Sequence, residues 1–199
     1  MVEHESSGAE LRDGFHFRGG HPVLDLVATR TGRLKPTQRE LLAAPGDVGR
    51  WLVAAGFMET APPATSADLE HARALREAVH AIVDALLDGR DVRTEDVDQI
   101  NALAREPAAV PQIGDDGRVR LEGSACALLA TLAGEAARLL GGDRAARIRR
   151  CEADGCAMLF LDTSRSGERR WCSMKRCGNK AKVAEFRRRR QRPSDVTRS

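Results

Sequence analysis

The sequence predicts an α+β fold, in which a mainly helical N-terminal domain with a small β-hairpin precedes a compact cysteine-rich module. Two observations lead to this prediction. Apolar residues recur at helical spacing through most of the N-terminal two thirds of the chain, whereas four of the five cysteines lie close together near the C-terminus. We place the boundary near Gly141-Gly142-Asp143, which divides the chain into domains at 1–143 and 144–192 and a tail at 193–199.

Composition indicates a folded protein that is neither membrane-spanning nor exported. The chain has 199 residues, of which 42% are hydrophobic and 31% charged, so it is expected to bury a core. Its apolar runs are shorter than the roughly 18 residues that a membrane helix needs. The first ten residues, MVEHESSGAE, are acidic and lack the apolar core of a signal peptide. We therefore expect a cytoplasmic protein with no membrane partner.

Charge is divided unevenly along the chain. Residues 1–146 contain 16 Lys and Arg against 23 Asp and Glu, a net charge of −7. Residues 147–192 contain 15 Lys and Arg against 5 Asp and Glu, a net charge of +10. An acidic body with a basic C-terminal part indicates that the basic part binds a polyanion.

The first helices are predicted from their ends. A short alternation of apolar and polar residues at 15–18 stops at Gly19-Gly20, after which Pro22 begins a short helix. Asp47 is predicted to be the N-cap of a second short helix, and Gly56 ends it. These signals predict two short helices in succession after the glycine pair.

The strongest helix of the chain is predicted to begin at Thr65. Thr65 is followed three residues later by Asp68, which resembles a capping box, and Gly89 is the stop signal. The residues predicted to form its inward face are Leu69, Ala72, Leu75, Ala78, Val79, Ile82, Val83 and Leu86.

A further helix, a hairpin and a last long helix complete the N-terminal domain. Two extended pieces at 110–113 and 118–121 flank Asp115-Asp116-Gly117, a pattern typical of a β-hairpin. A long helix follows over 124–140. Thr94 is predicted to cap the helix before the hairpin, with Val97, Ile100, Leu103 and Ala104 directed inward.

The cysteines of the C-terminal module have the spacing C-x4-C-x15-C-x4-C. Two short-spaced pairs can supply the four tetrahedral ligands of one zinc ion, and four thiolates leave no open coordination position. Free or redox-active thiols are the alternative, but these pairs lack the two-residue separation of thioredoxin-like sites. The sequence therefore predicts one structural Zn²⁺, with Cys151, Cys156, Cys172 and Cys177 as its ligands.

The residues around the cysteines predict a treble-clef-like zinc finger. Residues 158–161 are predicted to form one strand, 163–167 a turn and 169–171 the return strand. A very basic helix is expected over 180–191, with two apolar side chains packed against the hairpin. These apolar side chains are Val183 and Phe186.

The module resembles the CGNR zinc-finger family of bacterial proteins over residues 147–190. The resemblance rests on two blocks in order, LFLDTSR and RRWCSMKRCGN. Upstream, FHFRGGHPVLDLVATR and the two helices after it resemble the ABATE domain, a stress-associated regulatory domain. The resemblance implies a transcriptional regulator whose four cysteines are zinc ligands.

The sequence departs from these families at two positions. Lys180 stands where the CGNR signature has arginine, which keeps the charge but loses a planar two-pronged contact to guanine or phosphate. Ala28 precedes Thr29 where the N-terminal signature has asparagine, so any polar role of that asparagine in a ligand pocket is missing here.

Basic residues of the finger are the candidates for nucleic-acid binding, because Lys and Arg release counterions from phosphates. The helix after Cys177 is the element expected to enter a groove. The candidate residues are Arg165, Arg169, Arg170, Lys175, Arg176, Asn179, Lys180, Lys182, Arg187 and Arg188.

Other polar and aromatic residues are expected to have structural roles. Trp171 is assigned to the finger core, and Cys126 to the core of the N-terminal domain as a small buried hydrophobe. Asp162 and Ser164 are expected to brace the turn and to hold Arg165 or Arg169.

The sequence leaves two classes of function open. The favoured function is a DNA-binding transcriptional regulator, whose N-terminal domain senses a small-molecule ligand or forms a homodimer. The alternative is a module whose finger binds RNA or an acidic protein. No catalytic constellation stands out, so we do not expect an enzyme.

Overall fold

A computed structural model describes residues 10–191, apart from the side chains of Arg189, Arg190 and Gln191. Arg192 and the tail predicted at 193–199 lie outside the described residues. A 3-10 helix occupies Asp143–Arg147, and a π-helical turn occupies Met174–Gly178. The α-helices are α1 (Pro22–Val27), α2 (Pro45–Ala54), α3 (Ser66–Leu87), α4 (Thr94–Ala104), α5 (Ala125–Gly141) and α6 (Asn179–Gln191).

The described strands pair in antiparallel hairpins, which together with the helices confirms the α+β prediction. None of the helices in the described part of the chain is long and apolar enough to cross a bilayer. The pairs are β1 (Leu11–Arg12) with β2 (Phe15–His16), β3 (Arg30–Thr31) with β4 (Arg39–Glu40), β5 (Val110–Ile113) with β6 (Val119–Glu122), and β7 (Ile148–Arg150) with β8 (Leu159–Leu161).

Helix α3 is the centre of the N-terminal domain and packs against α1, α2, α4 and α5. The predicted capping box is confirmed: Thr65 Oγ1 accepts from the Asp68 N–H at 3.2 Å, and Asp68 Oδ2 accepts from the Thr65 N–H at 2.7 Å. In the middle of α3, the buried Arg76 donates to both carboxylate oxygens of Glu40, at 2.6 and 2.7 Å. This bidentate pair fixes strand β4 on the helix.

Two of the predicted N-caps are displaced by a few residues. Asp47 lies in the first turn of α2 as the third helical residue, and Ala44 is the N-cap. The Asp47 carboxylate accepts from the N–H groups of Ala43 and Ala44, so it still satisfies free donors at the helix start. Thr94 is the first residue of α4, whose N-cap is Arg93.

Two predicted inward residues lie on the surface. Leu86 near the end of α3 is 46% exposed, and Val97 in the second turn of α4 is 38% exposed. Both belong to the apolar side of their helices, but each lies where the neighbouring helices no longer cover it. The other predicted core positions of α3 are buried, and so are Ile100 and Leu103 of α4.

The predicted hairpin of the finger is formed by different strands. Strand β8 pairs with β7, which precedes the first cysteine, and not with residues 169–171. The predicted return strand at 169–171 is wrong, although the Arg170 carbonyl does accept from the Glu152 N–H at 3.0 Å. A prediction based on the residues between the cysteine pairs could not include β7.

The β7–β8 hairpin joins the finger to the core of the N-terminal domain. Ile148, Leu159 and Leu161 belong to the same buried cluster as the helices. The Leu161 N–H also donates to the Gly19 carbonyl at 2.7 Å. The two regions that the sequence separates near Gly141 therefore share one core.

Helix α6 lacks the predicted packing of its apolar residues against the hairpin. Val183 is 49% exposed and Phe186 is 60% exposed, so the expectation that both point inward is wrong. The helix contacts the preceding π-helical turn. Its described side chains are mostly exposed, which leaves its basic residues accessible.

Replacing Leu161 by alanine tests whether the finger and the N-terminal domain fold as one unit. We expect Leu161→Ala to lower the free energy of unfolding by about 2–5 kcal/mol, because it leaves a cavity in the shared core. Leu86→Ala is the control and should cost less than about 1 kcal/mol, since Leu86 is largely exposed. Urea unfolding of the zinc-loaded protein measures the free energy of unfolding of both variants. If Leu161→Ala and Leu86→Ala lose the same amount, the shared core is contradicted.

Candidate functional site

The four clustered cysteines come from two loops that face each other. Cys151 follows β7, and Cys156 follows a turn in which Gly155 has a positive φ of 69°. Cys172 precedes the π-helical turn, and Cys177 lies within it. The Sγ–Sγ distances are 3.9 Å for Cys156–Cys172, 3.7 Å for Cys172–Cys177 and 3.8 Å for Cys156–Cys177.

These distances fit a tetrahedral metal site. Four sulfurs that each lie about 2.3 Å from a central zinc are separated by about 3.8 Å. All four Sγ atoms lie within 4.8 Å of one another. The chemistry of four thiolates suits zinc, and their number closes the coordination sphere, so the finger holds one structural Zn²⁺.

The surroundings of Cys172 and Cys177 favour protonated thiols until a cation is bound, whereas hydrogen bonds with Cys156 and Cys172 lower the pKa of Cys151. Burial raises the pKa of the Cys177 thiol to about 11, and the neighbouring sulfurs add to the effect. Hydrogen bonding to the Cys151 sulfur, with burial, also raises the pKa of Cys172. Zinc binding must therefore displace protons, and its affinity falls as the pH is lowered.

The turn between the cysteine pairs is braced by Asp162, as the sequence predicts. Its carboxylate is buried and accepts from the N–H groups of Ser164 and Arg169, both at 2.9 Å. Although burial opposes ionisation, a hydrogen bond with the Ser164 side chain, together with the two backbone N–H groups, lowers the pKa of Asp162 to about 2. Arg147 completes the brace by donating to the carbonyls of Asp162 and Ser164.

Arg169 is engaged inside the finger. Its guanidinium lies over the Phe160 ring, 4.7 Å from the centroid, and donates to the carbonyls of Trp171 and Cys172. The side chain thus holds the segment that leads into the second cysteine pair. The sequence predicts both that Arg169 is held by the turn and that it is a nucleic-acid candidate, and the structure favours the first role, with contacts to the Trp171 and Cys172 carbonyls that the sequence did not indicate.

Two other candidates also have partners within the protein. Arg170 pairs with Glu152 at 2.5 Å and lies over the Trp171 ring at 5.1 Å, although it is largely exposed. The Asn179 amide donates to the Lys175 carbonyl at 3.3 Å, which is a local contact at the start of α6. Trp171 is half-buried against the finger core, as predicted.

The remaining candidates form an exposed basic surface on the second half of the finger. It consists of the loop residue Arg165, the π-helical turn and the first part of α6. Glu185 is the one acidic residue among the described side chains of α6. The exposed cations are Arg165, Lys175, Arg176, Lys180, Lys182, Arg187 and Arg188. We call this set the α6 surface.

A glycine and an aspartate fix the finger to the N-terminal domain. Gly19 lies directly against α1, where an added Cβ would be 2.7 Å from the Leu24 Cβ. The Gly19 N–H donates to the buried Asp25 carboxylate at 2.7 Å, and the Gly19 carbonyl accepts from Leu161 of β8. The sequence marked this glycine pair as a turn, but only the fold shows that it contacts the finger.

Polar contacts reinforce the same interface. Arg150 of β7 pairs with Asp84 and Asp88 of α3, at 2.8 and 3.3 Å. Ser173 donates its hydroxyl to the Glu10 carboxylate. Part of the acidic surface of the body is therefore neutralised by the basic finger.

The two departures from the family signatures have different surroundings. Ala28 is buried and packs into the finger core beside Cys151 and Phe160. Lys180 is exposed in the first turn of α6. The Ala28 position thus lies at the interface of the two domains, and Lys180 on the α6 surface.

Cys126 is half-buried and has polar neighbours. Its sulfur lies with a carboxylate oxygen of Asp68 and a ring nitrogen of His71, all within 4.8 Å of one another. Burial, with the charges of Asp68 and Glu106, raises the pKa of the Cys126 thiol. The expectation of a simple buried hydrophobe is therefore incomplete for Cys126.

Family comparisons divide the chain in the same order. Residues 20–143 match the family ABATE, described as "Putative stress-induced transcription regulator". Residues 147–190 match the CGNR zinc finger. No curated protein matches the chain.

Substitution of Asp25 tests its buried carboxyl by pH dependence. Burial raises the Asp25 pKa from 3.8 to about 7, against the opposing hydrogen bond from Gly19. Between these values the folded protein holds a proton that the unfolded chain releases, so the unfolding free energy falls as the pH rises from about 4 to about 7. Asp25→Asn removes this slope. The free energy of unfolding of the variant minus that of wild type should therefore increase by a few kcal/mol between pH 4 and pH 8.

Urea unfolding at a series of pH values measures the slope. The exposed Asp115→Asn is the control variant and should follow the wild-type profile. An Asp25→Asn profile that runs parallel to wild type would show that the carboxyl titrates normally.

Substitution of a single cysteine tests the metal centre. Cys172→Ser should reduce the bound zinc from about one ion per chain to a small fraction after dialysis against a chelator, because three thiolates hold zinc less tightly. Cys126→Ser is the matched control and should keep its zinc. Metal analysis of the purified proteins measures the zinc content of both variants. The assignment of the zinc ligands is refuted if Cys172→Ser keeps its zinc and Cys126→Ser loses it.

Proposed function

Because the chain belongs to the ABATE family and carries a CGNR zinc finger, we propose that it is a transcriptional regulator whose finger binds DNA. The observation that carries the proposal is the α6 surface, which presents seven exposed cations, six of them on the π-helical turn that contains Cys177 and on α6 after it. A surface of this kind neutralises phosphates and releases their counterions.

The zinc centre determines how α6 is presented. Cys177 lies in the π-helical turn, and α6 begins two residues later at Asn179. The metal therefore fixes the start of the helix, while the rest of it extends beyond the finger core. A helix held at one end and basic along its length suits the major groove of DNA.

The acidic body does not cancel the charge of this surface. Its described carboxylates meet the finger where Asp84 and Asp88 pair with Arg150 and where Glu10 accepts from Ser173, and no ion pair with a cation of the α6 surface is found among the described residues. Arg169 is already used inside the finger, so we assign the phosphate contacts to the π-helical turn and α6. The regulatory role belongs to the N-terminal domain, which shares a core with the finger.

A second candidate function is binding of an acidic protein. Three apolar side chains lie exposed among the cations of the α6 surface: Met174 at 48%, Val183 at 49% and Phe186 at 60%. A basic helix with exposed apolar side chains can also dock into an acidic groove. We rank this second because the family of the N-terminal domain is one of transcription regulators.

A salt series of DNA binding tests the proposal. We expect fluorescence anisotropy to show binding that weakens steeply with salt, with a slope of about −0.9 per phosphate contact. Lys182→Gln with Arg187→Gln should weaken binding and reduce the slope by about two contacts. Arg118→Gln, an exposed change on the β5–β6 hairpin, is the control and should leave both unchanged.

The outcomes separate the candidate functions. Preference for genomic fragments over scrambled ones indicates a regulator with a target sequence, whereas sequence-independent binding indicates a general nucleic-acid module. If the zinc-loaded protein does not bind DNA at about 50 mM salt, DNA binding is refuted, and the acidic-protein function gains support.

A further inference from the structure

A cleft lies between the N-terminal domain and the first cysteine loop of the finger. One wall comes from the segments around β2 and β3, and the other from residues 155–159 of the finger. The cleft has a volume of about 140 Å³, similar to the roughly 150 Å³ that accommodates a benzene molecule. It is therefore large enough for a small molecule and too small for a nucleotide.

The cleft is basic although it lies in an acidic domain. Four cations line it, Arg18, Arg30, Arg33 and Lys35, and no Asp or Glu is among its lining residues. The pKa of His16, which also lines it, is lowered by burial and then by the charges of nearby arginines, Arg18 foremost. The cleft thus concentrates positive charge in a domain whose net charge is −7.

Two of the four cations share one acidic partner, Glu77. Arg33 makes a bidentate pair with Glu77 at 2.8 and 3.0 Å, and Arg30 lies 3.4 Å from the same carboxylate. Burial opposes ionisation of Glu77, but the hydrogen bonds from Arg33 and the charges around it lower its pKa to about 2. Glu77 is therefore a fixed anion that orients these two side chains.

The other two cations are not held in ion pairs among the described residues, although the charge of Arg18 acts on the buried Asp25 carboxyl. Neither Arg18 nor Lys35 forms an ion pair within that part of the chain. The Arg18 Nε and the His16 Nδ1 are buried atoms without a hydrogen-bond partner in the described structure. Buried polar atoms are nearly always hydrogen-bonded in native proteins, so these two atoms leave hydrogen-bonding capacity unused in residues that line the cleft.

We propose that the cleft binds a small organic oxyanion, a carboxylate or a phosphate joined to a small apolar group. Arg18 and Lys35 line the cleft and supply the positive charge for the oxyanion. The apolar wall suits the rest of such a molecule. That wall consists of Val27, Ala28, Ala157, Met158 and Leu159.

The position of the cleft connects the ligand to the finger. Cys156, a zinc ligand, lines the cleft, and so does Gly155 before it. A bound anion would contact the first cysteine loop directly and favour the geometry in which that loop packs against the N-terminal domain. That this alters DNA binding rests on the proposed function, whereas the binding of the anion does not.

Calorimetric titration of the zinc-loaded full-length protein tests the proposal without DNA. Benzoate and inorganic phosphate serve as separate probes at constant ionic strength, with sodium chloride as the blank. We expect saturable binding of one anion per chain. Arg18→Gln and Lys35→Gln should each weaken it by about tenfold, because each removes a charged partner of the oxyanion.

The matched control is Arg105→Gln, an exposed cation at the end of α4, which should bind the probe as wild type does. Zinc content and the thermal midpoint check that each variant is folded. Saturation by benzoate identifies a carboxylate with an apolar group as the ligand chemistry, and saturation by phosphate identifies a phosphate. If neither saturates above the chloride blank, or if all three variants bind equally, the proposal is overturned.

A DNA titration of the same variants separates this site from the α6 surface. If Arg18→Gln and Lys35→Gln weaken DNA binding as strongly as the α6 variants do and neither anion binds, the cleft is part of the nucleic-acid interface, and the small-anion proposal is wrong. If the anion binds and DNA does not, the cleft proposal stands and the proposed function fails.

Discussion

Strand β8 holds the two parts of the molecule together because its side chains alternate between two cores. Leu159 and Leu161 point into the core of the N-terminal helices, while Phe160 between them is buried with Cys151 and Cys172 in the finger. Successive side chains of a strand point to opposite faces, so three residues serve two hydrophobic clusters. The backbone of the same strand pairs with β7 and bonds to Gly19.

This arrangement fixes the orientation of the metal centre. Phe160 also supports the guanidinium of Arg169, whose hydrogen bonds hold the chain just before the second cysteine pair. A shift of β8 would therefore move both cysteine loops relative to the N-terminal domain. The finger is a part of the folded body and not a module on a linker, and zinc stabilises a structure that already has one face buried.

The sequence predicted most of the fold and the metal ligands because those signals are local. The capping box at Thr65, the hairpin around Gly117 and the cysteine spacing each depend on a few neighbouring residues. The partner of β8 was missed because β7 lies before the first cysteine, outside the segment that the motif delimits. The sequence left Arg169 between two roles, held by the turn or free to bind nucleic acid, because composition does not distinguish a bracing arginine from a surface charge.

The structure has two basic surfaces, the α6 surface and the cleft, and the charge count along the chain predicts only the first. Counting charges along the chain assigns positive charge to the finger, and the α6 surface agrees with that count. The basic cleft does not, because its cations lie in a domain whose net charge is negative, and the finger supplies the opposite wall of the cleft. The two surfaces meet at the zinc centre: Cys156 lines the cleft, and Cys177 lies in the turn that begins α6. Since the metal joins these two cysteines through its coordination bonds, a contact made in the cleft has a short path to the helix.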